Sequence, residues 1–326
     1  MYRYIYWYKR KIPHSYKPII LVTGCGSGIG YALAIALYKL DTFRIVITAR
    51  EGSMPMLHAK FKENDHFLIR TLDVTADDQR KNIVEEIGAL WGSVDILVNN
   101  AGISYRSAVE HMTDADEVLQ METNYIGPMG LMRLVIPYMR AKGRGKIINI
   151  SSVSGMLAMP TMASYSASKH ALDGASESLW YEMRPFGINV SMVQPGFIHS
   201  NSFKKVYYTE TARKAEAEPG PYQEFYRSMA PFVEKLMGLS RTSPEKVAKL
   251  VLDVIYTVDP PLWIPATLDA EFFYYLRRIV PRRILHPFLY FCLPNTKAWG
   301  AGFTKKRPTY WERVVKRKKS FPENTN

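Results

Sequence analysis

From Pro18 onward the chain repeats one pattern: a short β-branched apolar run, a turn of small or polar residues, then a helical stretch. The runs cover 18–23, 43–49, 67–72, 94–98, 146–150 and 188–193, and a last short one covers 262–265. Helical patterns fall between them at 31–40, 76–90, 113–139 and 163–183, and another starts at Pro244. Alternation of this kind predicts a parallel sheet with helices on both faces, an α/β fold. Such sheets bind ligands at the carboxyl ends of their strands. The distinctive small-residue turns of this chain all follow a run directly. At 326 residues and 47% hydrophobic content, the chain is long enough for one domain of about 250 residues with extensions.

The first run leads into Thr23-Gly24-Cys25-Gly26-Ser27-Gly28-Ile29-Gly30 and then a helix. Glycines there let backbone approach a pyrophosphate, and the helix N-terminus supplies N–H groups and a positive dipole end. The spacing is Gly-x-x-x-Gly-x-Gly, and there is no Walker lysine. The second run ends at Arg50, where a carboxylate would favour a free ribose 2′-hydroxyl. An arginine suits a 2′-phosphate instead, which points to NADP(H) over NAD(H). The third run ends at Asp73-Val74, and the fourth at Asn99-Asn100-Ala101-Gly102, a turn small enough for a flat ring to lie against. Asn124 sits inside the long helical stretch, with an irregularity expected at Gly127-Pro128.

The fifth run opens on Ser151-Ser152, and Tyr165-Ser166-Ala167-Ser168-Lys169 stands at the start of the next helix. Spacing i,i+4 places Tyr165 and Lys169 on one helix face. A phenol ionises near pH ~10, and a neighbouring ammonium would favour the phenolate. With a serine hydroxyl alongside, these groups could move a proton at an oxygen while something else moves a hydride.

Taken together, these residues resemble the short-chain dehydrogenase/reductase family, and the resemblance spans about 18–265. It rests on the glycine turn, Asn99-Asn100-Ala101-Gly102, Asn124, Ser152, Tyr165-x-x-x-Lys169 and Pro195-Gly196, all in family order and spacing. The resemblance implies a Rossmann-type doubly wound sheet and hydride transfer between a nicotinamide and an alcohol/ketone pair. Tyr165 would then be the general acid in reduction and the base in oxidation, and the thirteen-residue spacing selects Ser152 to orient the carbonyl. Lys169 would bind the nicotinamide ribose and tune Tyr165, and Asn124 would hold a relay water. Gly24, Ser27, Gly28, Ile29 and Gly30 would cradle the pyrophosphate. Arg50, Asp73 and Val74 would meet the adenosine end, which Asn100, Ala101 and Gly102 would line. Pro195, Gly196 and Ile198 would pack on the nicotinamide. The family also implies a homodimer pairing the helices of Asn124 and Tyr165.

Substrate contacts are expected from Met156, Met159 and Met162, beside Ser152 and Tyr165, because methionines adapt to irregular apolar shapes. The aromatic-rich stretch 202–240 is expected to be a lid over a large hydrophobic substrate. Beyond residue 265 the chain continues with Phe, Tyr, Leu and Ile interleaved with Arg277, Arg278, Arg282 and Arg283, interrupted by prolines. This extension, 266–326, reads either as a helix pair in a bilayer interface or as a cap over the active-site mouth. The tyrosine-rich, basic arm 1–17 reads equally as interfacial or as disordered. Charge follows the same division: +5 in 1–17 and +10 in 271–326, leaving −2 for 18–270 out of the total of +13. Basic flanks point to an anionic membrane surface as partner rather than to nucleic acid. No run reaches the ~18 apolar residues of a membrane span, and no secretory h-region is evident. The expectation is a cytoplasmic or cytoplasm-facing peripheral protein. Cys25 and Cys292 are too few for a disulfide framework, and no metal-ligand spacing occurs. Two alternatives stay open: a soluble reductase of small carbonyls, and a catalytically idle NADP-binding scaffold.

Overall fold

A computed structural model describes residues 16–199 and 206–303. The strands are β1 (Ile19–Val22), β2 (Arg44–Ala49), β3 (Phe67–Thr71), β4 (Ile96–Asn99), β5 (Gly145–Ile150), β6 (Ile188–Gln194) and β7 (Trp263–Pro265). They form one seven-stranded sheet in the order β3-β2-β1-β4-β5-β6-β7, with every pairing parallel. The helices are α1 (Gly28–Tyr38), α2 (Met54–Lys60), α3 (Asp77–Trp91), α4 (Asp114–Met121), α5 (Gly127–Ala141), α6 (Ala163–Met183), α7 (Glu210–Ala217), α8 (Gln223–Leu239), α9 (Pro244–Tyr256), α10 (Leu268–Ile279) and α11 (Arg282–Cys292).

Both faces of the sheet are covered, so β1 in its interior is apolar throughout instead of alternating with polar residues. Successive side chains still point to opposite faces. Ile20 and Val22 of β1 enter one core with Leu33 of α1, Leu57 of α2 and Val251 of α9. Ile19 and Leu21 enter the other with Ile83 of α3, Leu131 of α5 and Leu179 of α6. The strand order reverses between β1 and β4, which opens a crevice at their carboxyl ends.

The structure departs from the sequence expectation in three places. First, α1 begins at Gly28 rather than near Tyr31, so the last glycines belong to its first turn. Second, a short helix, α2, follows Arg50, with a proline in its first turn. Third, the stretch 113–139 is not one helix: a π-helical turn, Glu122–Ile126, separates α4 from α5. The irregularity therefore lies just before Gly127-Pro128. The Gly127 N–H bonds back to the Glu122 carbonyl. A side chain at Gly127 would come within 2.5 Å of the Val74 carbonyl oxygen, so this crossing admits only glycine. Ser243 caps α9 by position, yet its hydroxyl makes no cap hydrogen bond.

Candidate active site

The carboxyl edge of the sheet opens into a cleft of about 560 Å³. The turn after β1 is built to let backbone approach it. Gly24 has φ +72°, and a Cβ there would lie 2.6 Å from the Ala101 Cα. The Thr23 hydroxyl accepts from the Asn100 and Ala101 N–H groups at 3.0 Å each, and the Asn100 amide donates to the carbonyls of Thr23 (2.9 Å) and Gly24 (3.0 Å). The turns after β1 and β4 are thus one bonded unit. Gly24, Ser27, Gly28 and Ile29 line the cleft, as do Arg50, Asp73, Val74, Asn100, Ala101 and Gly102. Gly30 does not. A side chain at Gly30 would strike the Asn100 amide and the Gly24 carbonyl, so its place in the motif is to let helix and turn close together.

Arg50 stands exposed at the far end of the cleft, its guanidinium donating to the Tyr207 hydroxyl at 3.4 Å. That bond holds the Arg50 pKa above its ordinary value, with burial opposing. Asp73 accepts from the Thr75 N–H at 2.9 Å and hydroxyl at 2.8 Å, which fixes the turn after β3.

Ser152 follows β5. Its hydroxyl accepts from the Ser154 N–H at 3.1 Å, and the Val153 N–H donates to the Pro195 carbonyl at 2.7 Å. The ends of β5 and β6 are therefore tied together where Ser152, Pro195, Gly196 and Ile198 meet the cleft. Tyr165, in the first turn of α6, hydrogen-bonds Ser152 and keeps partial exposure toward the cleft. Lys169 is 5% exposed, and its ammonium donates to the Ile150 carbonyl at 2.9 Å. It stands 5.9 Å from the Tyr165 ring centre. Asn124 is outside the cleft lining. Its side chain clamps Ile103, accepting from the N–H and donating to the carbonyl at 2.9 Å each, and donates to Ser168 at 2.9 Å. Pro128, four residues on, has no N–H to offer the Asn124 carbonyl. A side chain at Gly102 would lie 3.2 Å from the Asn124 oxygen and 3.8 Å from the Lys169 nitrogen, so the three positions adjoin.

Burial raises the Tyr165 phenol above its usual range, while the Ser152 hydrogen bond and the charge of Arg106 pull it down. Burial lowers the Lys169 ammonium to about 8, and the nearby charge of Asp173 opposes that fall. Two groups that the sequence motifs do not single out contribute here. Arg106, four residues past Gly102, lines the cleft. Asp173, one turn beyond Lys169 on the same face of α6, is 3% exposed and accepts from the Gln194 amide at 2.8 Å. Burial raises the Asp173 carboxyl to about 6. The i,i+4,i+8 spacing of Tyr165, Lys169 and Asp173 is the signal in the sequence that could have found it.

Among the expected substrate residues, Met159 and Met162 line the cleft. Met156 does not: it is buried with Val153 against Ala270 and Tyr274 of α10. Helix α10 also reaches the cleft wall after β6, because Thr267 and Asp269 accept from the Gly196 and Phe197 N–H groups at 2.9 and 2.8 Å. Helices α7 and α8 occupy the expected lid stretch, and Tyr207 and Met237 border the cleft. Residues 1–15 of the arm 1–17, residues 200–205 with the start of the expected lid 202–240, and residues 304–326 of the extension 266–326 lie outside the described residues. Among the described residues there is no cluster of three or more metal-binding side chains, and no helix is long and apolar enough to cross a membrane. A second cavity of about 290 Å³ lies at the opposite edge of the sheet, beside Asp95, Lys146 and Tyr256. There the Lys146 ammonium donates to the Val254, Ile255 and Thr257 carbonyls at the end of α9, a structural tie.

The family model for short chain dehydrogenases matches residues 18–211. This chain belongs to that family. It is 32% identical to a 3-ketodihydrosphingosine reductase of Bacteroides thetaiotaomicron, over 74% of this chain and 85% of that one. It is 31% identical to a retinol dehydrogenase 8 of Bos taurus, over 74% and 79%. A short-chain dehydrogenase of Streptomyces avermitilis shares the fold at TM-score 0.70 and 31% identity, covering 85% of this chain and 98% of that one. ElxO with NADP bound matches at TM-score 0.59 and 26% identity, covering 77% and 98%. The chain is thus an oxidoreductase of the short-chain dehydrogenase family, acting between an alcohol and a carbonyl with a nicotinamide cofactor.

Proposed function

We propose that this enzyme is an NADP(H)-preferring reductase/dehydrogenase of a bulky hydrophobic carbonyl or secondary alcohol. The observation that carries the reading is one cleft whose lining brings Ser152, Tyr165 and Lys169 together with Arg50, Met159, Met162 and Met237. The cradle fits a dinucleotide: a Cβ at Gly28, which has φ +59°, meets nothing within 4 Å, leaving open space at the start of α1. When bound, the nicotinamide supplies or accepts the hydride. The chain does the rest. Gly24, Ser27, Gly28 and Ile29 would hold the pyrophosphate, and Asp73, Val74 and Asn100 to Gly102 the adenosine. Arg50 would pair with the 2′-phosphate. Pro195, Gly196 and Ile198 would pack on the nicotinamide side. Lys169 would hold the ribose, and Ser152 would donate a hydrogen bond to the carbonyl oxygen. In reduction Tyr165 delivers its proton to that oxygen, and its raised pKa keeps it protonated at neutral pH. The Asn124 carbonyl, which Pro128 leaves without an i+4 donor, would hold a water for reprotonation. Purified full-length protein should oxidise NADPH with a large apolar ketone or aldehyde and far less with NADH. Equal use of the two cofactors would overturn the preference, and activity only on short polar ketones would overturn the substrate class.

A peripheral membrane attachment belongs to the same reading. Ile284, Phe288 and Phe291 form an exposed stripe on α11 at i, i+4, i+7, and Phe291 is 83% exposed. Leu268, Phe272 and Ile279 form a second stripe on α10. Arg278, Arg282 and Arg283 are exposed beside them, suited to anionic headgroups on a cytoplasm-facing leaflet. Triple replacement of Ile284, Phe288 and Phe291 by Ser should release the protein from anionic liposomes, and unchanged sedimentation would end this proposal. Homodimer pairing through the helical stretch that carries Asn124, between α4 and α5, and through α6, which carries Tyr165, is a further family-based expectation, testable by sedimentation velocity.

A further inference from the structure

Arg50 and Tyr207 both line the cleft. They stand 157 residues apart in sequence, yet the Arg50 guanidinium donates to the Tyr207 hydroxyl at 3.4 Å. The acid next to Arg50 is turned elsewhere: the Glu51 carboxylate accepts from the Thr71 hydroxyl at 3.2 Å. At 3.4 Å the bond between Arg50 and Tyr207 is at the long end of its range, so a stronger acceptor could enter between the two at small cost.

Tyr207 does not depend on Arg50 for its place. Its N–H donates to the Ser104 carbonyl at 2.9 Å, and its carbonyl accepts from the Arg106 N–H at 2.8 Å. The residue thereby pairs with Tyr105 in the parallel sense. Two residues on, the Thr209 N–H donates to the Ser107 hydroxyl at 3.2 Å, and the Thr209 hydroxyl donates to the His111 carbonyl at 2.7 Å. The Tyr207 ring lies against that of Tyr105, with centres 5.3 Å apart. Tyr105 is itself buried, and its N–H donates to the Gln120 side chain at 2.7 Å. A short ladder on the loop after β4 therefore delivers the phenol to Arg50, and its ordering is complete before any ligand arrives. A phenol oxygen that accepts from a guanidinium still has its own proton to donate.

We propose that Tyr207 is a second reader of the cofactor 2′-phosphate, a specificity residue supplied by the segment that leads into α7. Its hydroxyl donates to a phosphate oxygen while Arg50 pairs with the same group. This deepens the function proposed above and rests on it for the preference for NADP(H). The pair discriminates through the number and charge of the oxygens it meets. A 2′-phosphate offers several anionic oxygens, enough for guanidinium and phenol together. A free 2′-hydroxyl offers one uncharged oxygen, and Arg50 and Tyr207 already satisfy each other, so NADH gains little by parting them.

The test measures binding to the full-length protein by isothermal titration calorimetry, with no turnover required. The probes are adenosine 2′,5′-bisphosphate and 5′-AMP, which differ only in the 2′-phosphate, followed by NADPH and NADH. Wild type is compared with Tyr207→Phe, Arg50→Ala and the double variant. Tyr207→Phe removes one oxygen and keeps the ring against Tyr105. It should weaken the bisphosphate and NADPH about five- to tenfold and leave 5′-AMP and NADH within about twofold. The double variant should lose less than the product of the two single losses, because both groups act on one phosphate. Equal melting temperatures would show that the variants are folded, and the ratio of bisphosphate to 5′-AMP affinity within each variant does not depend on the folded fraction. An unchanged ratio in Tyr207→Phe would overturn the proposal. So would tighter NADPH binding by that variant, since the hydroxyl would then only compete with phosphate for Arg50. Equal weakening of all four probes would assign Tyr207 a packing role and overturn it as well. No preference for the 2′-phosphate in wild type would end the cofactor reading and the role of Tyr207 with it. A wild-type preference that Arg50→Ala abolishes and Tyr207→Phe leaves intact would keep the cofactor reading and remove Tyr207 alone.

Discussion

The two halves of the cleft are built by different means. The cofactor half is made of backbone. Its turns follow β1 to β4, its glycines admit close approach, and Thr23 and Asn100 tie the turns together. The proposed substrate half is made of side chains from distant segments: Arg106 after β4, Met159 and Met162 before α6, and Met237 of α8. A backbone site needs particular residues at particular spacings, because only glycine fits a close approach or a positive φ. A side-chain site needs only suitable groups, which can come from anywhere. On the function proposed, the first half would fix a reaction common to a family, and the second would set what this chain acts on.

Perturbing the centre of the cleft should have the largest effect. Tyr165→Phe should lower turnover about a thousandfold in both directions while leaving NADPH affinity within about twofold of wild type. A variant that keeps its activity would place the proton donor elsewhere.

Asp173 comes next, since it underlies both halves. A carboxyl whose folded-state pKa is raised holds its proton more tightly in the folded chain. Its contribution to stability is full below the ordinary value of 3.8 and is lost as pH rises through about 6. Asp173→Asn does not ionise and escapes that loss. Relative to wild type, the variant should gain up to about 3 kcal/mol between pH 4 and pH 7, measured by urea unfolding. The Asp173 charge also supports the Lys169 ammonium. Carbonyl reduction by the variant should therefore decline at lower pH than in wild type. A stability difference that does not vary with pH would show that Asp173 is not the buried titrating group described.

In the cofactor half, Gly30→Ala forces a methyl group into the Asn100 amide and the Gly24 carbonyl. The expected loss is about 1–3 kcal/mol of stability together with weaker NADPH binding. Normal melting and binding would show that the turn relaxes freely. Arg50→Ala should be the mildest change, weakening NADPH about tenfold and leaving NADH nearly unaltered. Equal losses for both cofactors would remove the 2′-phosphate from the account.

The same contrast explains which features are legible in the amino-acid sequence and which are not. The α/β alternation, the parallel sheet and the full extent of α6, Ala163–Met183, follow from periodicity and from the absence of proline. Cradle positions are legible because glycine spacing is itself the constraint. Spacing does not say which way a glycine faces, however, and Gly30 faces Asn100 rather than the cofactor. Met156 shares a loop with Met159, which suggests a common role in the pocket. That loop turns at Val153–Gly155 and sends Met156 under α10. Arg106 and Asp173 are hidden for another reason. Arg106 is tied to Tyr207 and Asp173 to Gln194, both far away in sequence, and only the i,i+4,i+8 spacing with Tyr165 and Lys169 marks Asp173.

The most direct test of the central claim is NADPH oxidation by the full-length protein in detergent, across a panel from short ketones to retinoid, steroid and long-chain keto compounds. Tyr165→Phe would be run in parallel. The account predicts turnover on large apolar carbonyls, near background on the short ketones and abolished in the variant. Turnover confined to short ketones, or equal turnover by the variant, would contradict it.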